Sequence, residues 1–310
     1  MVKISILYKF TDEAWGGGNQ FLKVLRKFLV EKAQCYEADP QKADIILVNS
    51  KDSLEAAAFL SGRGKTVIHR IDGVFSIYRG DHERKTDCKV YDFNKNVADG
   101  TIFQSNWSRE ASKQNGMEHK RFETVIRNCS DSEIFSVNRK HRGMYRWQGR
   151  YRLVTTCWSE NPKKGFDIYK HLDDELDFDK YEYTFIGRSP IQFKNINNIG
   201  VLTTPEIGLN LRNSDIFVTA TQDDTCSNSL IEAMSRGMPA VGLASGGTPE
   251  IIGEGGELFS SKLDVIDQID KVSKSIVEYE NKVDIPLAST VCYRYMEFMK
   301  EVHKYVVSQH

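Results

Sequence analysis

This sequence has no long apolar run, almost no net charge and no closely spaced pair of cysteines. No apolar run approaches the roughly 18 residues that a membrane-spanning helix needs. The net charge of −1 gives no overall field that favours nucleic acid or an anionic membrane. The six cysteines include no CxxC or CxxH pair, which favours free thiols in a reducing compartment over disulfides or zinc. We therefore expect a cytoplasmic protein that does not bind nucleic acid.

A signal peptide and a dinucleotide fingerprint are also missing. Residues 1–10 lack the long apolar core of a signal peptide and read as a first β-strand. Gly16, Gly17 and Gly18 follow that strand, but their spacing is not GxGxxG, which disfavours NAD. Such glycines let a backbone approach a ligand, although three glycines alone are equally typical of a flexible loop.

The apolar pattern predicts two α/β halves. In residues 1–136 short β-branched runs alternate with helical stripes. Residues 137–150 are basic and aperiodic, so we place a linker there. Residues 151–288 restart the alternation, and residues 289–310 form an amphipathic helix expected to pack back on the first domain. The sequence thus predicts an α/β protein with two facing Rossmann-like domains, parallel sheets and a cleft between them.

The most informative stretch is residues 214–255. A strand, an acidic turn, a short helix, a second strand and a glycine-rich turn follow one another there. Parallel sheets bind ligands at the carboxyl edge of their strands, where this unit places Asp224 and Glu232. Two helix N-termini open toward the same edge, which favours a negatively charged, polyhydroxylated ligand.

A histidine, His69, stands near the carboxyl end of another predicted strand, residues 66–70. Sites collect at such positions in parallel sheets. A lone histidine is nevertheless more often a structural residue with satisfied hydrogen bonds, so spacing alone leaves both interpretations open.

Several segments occur together in a recognisable combination. An acid at 224 is followed by EAM at 232–234 and GGTPE at 246–250, with NPKKGF at 161–166 and VIRN at 125–128. Together with the N-terminal glycine loop, these segments resemble the retaining GT-B glycosyltransferases of family 4, also called group 1. The resemblance covers nearly the whole chain.

The resemblance implies transfer of a hexose-type sugar from a nucleotide-diphosphate sugar to a hydroxyl acceptor. The acceptor would belong to a glycan, a lipid or a small molecule, and a lipid-linked acceptor would bring the protein to the inner face of a membrane. UDP is the expected nucleotide because it is frequent in the family. Attack on the front face, with the leaving phosphate taking the acceptor's proton, requires no metal, no cofactor and no protein nucleophile.

The resemblance also implies roles for particular residues. Lys164 would contact the diphosphate, Asp224 the hydroxyls of the transferred sugar, and Glu232 the ribose hydroxyls. His69 would lie near the donor sugar and the departing phosphate, so that His69, Lys164 and Asp224 form the expected catalytic set. The other expected donor-binding residues are Gly17, Gly18, Ser159, Arg188, Thr225, Cys226, Ser227 and Asn228.

Two positions depart from the family's pattern. Asp224 stands where Glu is usual and is shorter by about 1.5 Å, and a misplacement of that size can cost on the order of a hundredfold in rate. Ser159 stands where the family often has Arg, so Arg188 or Arg70 would have to supply the second cation. These departures motivate a second hypothesis, a catalytically weak or inactive homologue that binds a sugar nucleotide or glycan. A GT-B sugar-nucleotide epimerase is a third.

Overall fold

The computed structural model of the chain describes most of its residues, namely 2–11, 17–136 and 149–309. Two expectations fall partly outside this range. Residues 137–148 of the predicted linker lie outside the described residues, and so does Gly16 of the glycine loop.

The described residues form two compact units. Of the described residues, the first unit comprises residues 2–11, Gly17–Cys129 and the chain from Ala288 onward. The second comprises Ser130–Leu287. Each unit has its own parallel sheet and its own hydrophobic core, which confirms the predicted α/β class with two Rossmann-like domains.

The sheet of the first unit has five parallel strands in their chain order. The strands are β1 (Ile4–Leu7), β2 (Ile45–Asn49), β3 (Thr66–Ile71), β4 (Gly100–Phe103) and β5 (Glu123–Val125). The helices are α1 (Gly17–Glu31), α2 (Leu54–Ser61), α3 (Phe75–Arg79), α4 (Arg84–Asn96) and α5 (Asn106–Gln114). The sequence pattern missed α3, which is only five residues long, and α4, whose polar first turn hides the helical period.

Two amphipathic helices cover one face of this sheet. The predicted apolar stripe of α1 is buried, with Phe21 and Leu25 fully inaccessible to solvent. The last helix, Ala288–Ser308, buries Val291 and Tyr295 in the same core. The final helix is therefore part of the first unit, although it follows the second in sequence.

The sheet of the second unit has six parallel strands in the order β11-β10-β9-β6-β7-β8. They are β6 (Tyr151–Cys157), β7 (Tyr181–Gly187), β8 (Asn197–Asn198), β9 (Ile216–Thr219), β10 (Ala240–Leu243) and β11 (Gly256–Phe259). The helices of this unit are α6 (Ser132–Phe135), α7 (Phe166–Glu175), α8 (Thr204–Arg212), α9 (Asn228–Ser235), α10 (Thr248–Ile252), α11 (Val265–Lys274) and α12 (Ile276–Lys282). The final helix of the chain, α13 (Ala288–Ser308), belongs to the first unit.

Alternation along the central strand β9 gives this sheet a core on both faces. Ile216 and Val218 join one cluster and Phe217 the other, as expected because successive strand residues point to opposite faces.

The sequence pattern missed β11, a short strand without a β-branched residue. No helix within the described part of the chain is long and apolar enough to cross a membrane.

A buried carboxylate fixes the segment between β7 and β8. Asp173 on α7 is inaccessible to solvent and accepts hydrogen bonds of 2.8–3.0 Å from the backbone N–H groups of residues 194–196. Burial alone would raise its pKa, but these N–H groups and Lys170 outweigh burial and hold the pKa below its ordinary value.

We therefore predict that Asp173→Asn lowers the free energy of unfolding at neutral pH by about 3 kcal/mol, because an amide cannot accept all these bonds. The loss should shrink below about pH 4, where the unfolded-state aspartate and then Asp173 itself become protonated. Urea titrations at several pH values would measure both effects. Asp174→Asn, at an exposed neighbour paired with the same lysine, is the control. An equal effect of the two substitutions would contradict the prediction.

Candidate functional site

The predicted donor-binding residues of the second unit gather at the carboxyl edge of its sheet. Lys164 follows β6, Arg188 follows β7, and Asp224 lies in the loop that follows β9. Because all six strands are parallel, these loops lie at one edge. The glycine-rich turn after β10 lies beside the Asp224 loop, as its hydrogen bonds show.

The Asp224 loop is held by the glycine-rich turn. The Gly247 N–H donates to the Asp224 carbonyl oxygen at 2.7 Å, and the Asp223 N–H donates to Ser245 Oγ at 2.9 Å. A Cβ atom on Gly246 would stand 2.4 Å from the same carbonyl oxygen. Gly246 also has a φ of +61°, which favours glycine. The Asp224 loop thus depends on two independent properties of residue 246.

The lysine turn is joined to the same loop. Pro162–Lys164 forms a single 3₁₀ turn that ends at Gly165, where a Cβ atom would stand 2.3 Å from the Ala220 carbonyl oxygen. The Gln222 N–H donates to the Lys163 carbonyl oxygen at 2.7 Å. As a result, Lys164 Nζ lies 3.6 Å from Asp224 Oδ2, with both side chains largely buried.

The neighbouring residues form a second ion pair, between Lys163 and Asp223. A cavity of about 490 Å³ opens on that side of the loop and is lined in part by Gln222, Asp223 and Ser245. Two cations and two carboxylates therefore come from two adjacent loops.

In the part of the chain that the structure describes, no three His, Cys, Asp or Glu side chains form a group that could hold a metal ion.

Helix α9 begins directly after the acidic loop. Ser227 caps it by accepting from the Leu230 N–H, and Asp224 Oδ1 accepts from the Cys226 N–H at 3.2 Å. The Cys226 and Ser227 side chains are buried, so a ligand would meet the backbone there and not these side chains. Thr225 and Asn228 are partly exposed.

Glu232 lies one turn into α9. Its carboxylate has no hydrogen-bond or ion-pair partner among the described residues, and burial raises its pKa to about 8. The Glu232 side chain is partly exposed, and an unpaired carboxylate in such a desolvated environment is costly to charge unless a ligand supplies hydrogen bonds. Such a residue is a candidate for ligand contact.

The residues at the ends of β6 and β7 supply one further cation. Arg188 is exposed and forms no ion pair within the described residues, and its guanidinium donates to the Trp158 carbonyl oxygen at 3.4 Å. Ser159 Oγ accepts from the Asn161 N–H at 3.2 Å, so it shapes the lysine turn. Arg188 is thus an available second cation at this edge.

The first unit places His69 differently from the expectation. The His69 ring is fully buried, with Nε2 2.7 Å from the Ser50 carbonyl oxygen and Nδ1 3.2 Å from Asn94 Nδ2. Burial lowers its pKa to about 4, so the ring is neutral at physiological pH. With both nitrogens occupied inside the core, His69 is a structural residue in this conformation, and we assign it no contact with substrate.

Strand alternation explains this correction. His69 and Arg70 project to opposite faces of β3, and both side chains are fully buried. The side chain presented at that edge is Asp72, which the sequence analysis did not single out. Its position directly after a buried strand and before a glycine was the available signal. Gly17 and Gly18 form the first turn of α1 beside it, where a Gly18 Cβ atom would lie 3.7 Å from Asp72 Oδ2.

The role of Gly246 can be tested by comparison with Gly253, which also has a positive φ but has open space around its Cα atom. We predict that Gly253→Ala costs about 1–2 kcal/mol from backbone strain. Gly246→Ala should cost about 2 kcal/mol more, because its methyl group must displace the Asp224 backbone. Chemical denaturation of both variants measures the difference, and equal losses would refute the proposed contact.

Comparisons with known proteins agree with this architecture. Residues 167–276 match the model of the family described as Glycosyl transferases group 1. HepE of Anabaena, solved with UDP and glucose, superposes with a TM-score of 0.72 at 14% identity over 99% of this chain and 100% of that chain. Sucrose-phosphate synthase from Thermosynechococcus elongatus gives 0.69 at 13% identity over 100% and 97%.

No curated protein sequence matches the chain. The catalytic domain of starch synthase IV from Arabidopsis thaliana, solved with ADP and acarbose, is similar in fold, with a TM-score of 0.64 at 11% identity over 94% of this chain and 79% of that chain. The chain therefore has the fold of the GT-B glycosyltransferases, and residues 167–276 of its second unit match the model of the group 1 family.

Proposed function

We propose that this protein transfers a hexose-type sugar, with retention of configuration, from a UDP-sugar to a hydroxyl on a glycan, lipid or small-molecule acceptor. The observation that carries the proposal is the position of Lys164 Nζ 3.6 Å from Asp224 Oδ2 at the carboxyl edge of the sheet. A sugar nucleotide presents a phosphate and sugar hydroxyls within a few bonds of each other. A neighbouring cation and hydrogen-bond acceptor match that arrangement.

Charge development in the reaction gives each group a role. Breaking the bond between the anomeric carbon and the phosphate oxygen leaves negative charge on the diphosphate. The Lys164 ammonium and the exposed Arg188 guanidinium would stabilise that charge, together with the N-terminus of α9. Asp224 would accept hydrogen bonds from the transferred sugar and orient it. The acceptor's proton would pass to the leaving phosphate, so no protein nucleophile and no metal enters the proposal.

Asp224 is shorter than the glutamate usual at this position, and its carboxylate is held in place by a hydrogen bond from its own loop. Asp224 Oδ1 accepts from the Cys226 N–H, which leaves Oδ2 toward Lys164. The loop therefore fixes where this carboxylate stands, and a preorganised acceptor is what hydroxyl recognition needs. HepE of Anabaena binds UDP-glucose in its crystal structure, which makes UDP-glucose the first donor to try.

The Lys164 and Asp224 roles predict a specific pattern of losses. Lys164→Ala should lower UDP-glucose turnover on the order of 10²- to 10³-fold, the effect of removing one transition-state contact, and Asp224→Asn should lower it by a similar factor. Turnover is measured as UDP release, with and without a panel of acceptor glycosides.

Two matched variants serve as controls for this experiment. Lys163→Ala removes the adjacent lysine, and Asp215→Asn removes an ion-paired carboxylate at the opposite end of β9. Both should keep turnover close to that of the unaltered protein. If the unaltered protein binds UDP-glucose without any turnover, the non-catalytic hypothesis replaces ours. If it binds no sugar nucleotide at all, our proposal fails and the second hypothesis survives only as a glycan-binding homologue.

Glu232 predicts a pH dependence of nucleotide binding. Ribose hydroxyls donate to a charged carboxylate, so UDP binding should favour the ionised form of Glu232 and release a proton. Because burial raises the pKa of Glu232 to about 8 in the free protein, affinity should rise with pH between about 7 and 8 and then level off. Isothermal titration calorimetry in buffers of different ionisation enthalpy measures both affinity and proton release.

Glu232→Gln should abolish this pH dependence, whereas Glu182→Gln, at an exposed site in β7, should leave it intact. A pH dependence that survives in Glu232→Gln would show that another group titrates on binding.

A further inference from the structure

Four of the five strands of the first sheet, β2 to β5, end at or just before a polar side chain that belongs to one cluster. The cluster contains Asn49 from β2, Arg70 and Asp72 from β3, Gln104 after β4 and Asn128 after β5. Four of these five residues are buried, and their donors and acceptors are matched to one another. The cluster lies at the carboxyl edge of the sheet, where parallel sheets bind ligands.

Arg70 is the centre of this cluster. Its guanidinium is inaccessible to solvent and donates to Asn49 Oδ1, Asp72 Oδ1 and, at 2.8 Å, Asn128 Oδ1. Its Nε donates to the Tyr295 hydroxyl at 3.3 Å, and its plane lies over the Phe21 ring. A guanidinium with this many hydrogen bonds cannot move to contact a ligand. Its effect on a ligand would come from the side chains that it positions.

The group presented outward is the Asp72 carboxylate. Its Oδ1 atom accepts from Arg70 and from Gln104 Nε2, and its Oδ2 atom accepts from Asn49 Nδ2 at 2.8 Å. The Asp72 side chain is nevertheless 35% exposed, while the Arg70 side chain is fully buried. Among the described residues Oδ2 receives only the bond from Asn49, so one lone pair of Oδ2 on this partly exposed side chain has no donor.

Neutralising Arg70 does not by itself require this arrangement. A buried guanidinium can be paired with an equally buried carboxylate, as burial strengthens the attraction and hydrogen bonds satisfy both groups. Here three donors fix the direction of a carboxylate that stays open to solvent. That geometry is the one expected of a preorganised hydrogen-bond acceptor.

We propose that Asp72 binds a sugar hydroxyl: Oδ2 accepts a hydrogen bond from a hydroxyl of a sugar substrate, and Arg70, Asn49 and Gln104 are positioning residues for it. This inference rests on the proposed glycosyl transfer. The hydroxyl belongs either to the transferred sugar or to a saccharide acceptor, since both present the same chemistry.

The experiment compares the unaltered protein with Asp72→Asn and with Asp215→Asn. Asp215 also forms an ion pair with an arginine, but at the amino end of β9 in the second unit. We measure the affinity for UDP, the affinity for UDP-glucose, the rate of UDP-glucose hydrolysis, and the stimulation of UDP release by methyl glycosides. UDP carries no sugar beyond its ribose, so its binding reports on the nucleotide site alone.

Asp72→Asn should bind UDP normally. If the hydroxyl belongs to the transferred sugar, its UDP-glucose affinity or hydrolysis should fall about 10- to 100-fold, the loss expected of one hydrogen bond to a charged group. If the hydroxyl belongs to the acceptor, those quantities should stay unchanged and the stimulation by methyl glycosides should fall instead. Asp215→Asn should change none of them.

A second variant keeps the test decisive if Asp72→Asn is unstable because Arg70 is left uncompensated. Arg70→Met combined with Asp72→Asn removes both charges, which can restore stability. A purely structural carboxylate predicts that this double variant regains sugar recognition together with its stability, whereas our proposal predicts that it does not.

Normal UDP-glucose binding, hydrolysis and glycoside stimulation in a folded Asp72 variant would overturn the inference. Failure of the unaltered protein to bind UDP or UDP-glucose would instead refute the proposed function itself.

Discussion

The close approach between Gly246 and the backbone of Asp224 is the constraint on which the candidate site depends. The Asp224 carbonyl oxygen accepts from the Gly247 N–H and stands 2.4 Å from where a Gly246 Cβ atom would be, so no other residue type fits at position 246 without a shift. Gly165 holds the lysine turn in the same manner against Ala220. Two glycines on two different loops thus bring Lys164 and Asp224 together, although sixty residues separate them in sequence.

The sequence predicted the second unit better than the first for a physical reason. In residues 214–255 the strand, the acidic turn, the capped helix and the glycine-rich turn are local signals, each readable within a few residues. The carboxyl edge then follows from the parallel topology, which brings Asp224, Glu232 and Lys164 into one region. What the sequence could not supply was the partner of each group, because the Lys164–Asp224 and Lys163–Asp223 pairs depend on contacts between distant loops.

The histidine shows where local reading fails. His69 lies two residues before the end of β3, and strand alternation turns its ring into the helical layer, where Ser50 and Asn94 satisfy both nitrogens. Only the strand's exact end decides which side chain reaches the edge, and strand ends are the least predictable part of a sequence pattern. The structure ends β3 at Ile71, so Asp72 occupies that place. The strand β11 was missed for the related reason that a four-residue strand carries almost no period.

The two sheets present carboxylates at their edges in different ways, and the difference bears on function. In the second unit the ammonium of Lys164 and the carboxylate of Asp224 are 3.6 Å apart, so this pair is looser than one joined by a short direct hydrogen bond. In the first unit Asp72 is fixed by a buried guanidinium and two amides and cannot be released without exposing that charge. In the proposed reaction negative charge develops on the leaving phosphate, and a loosely paired lysine would be able to follow it. A fixed carboxylate suits recognition of a neutral hydroxyl, whose position must be defined before the reaction begins.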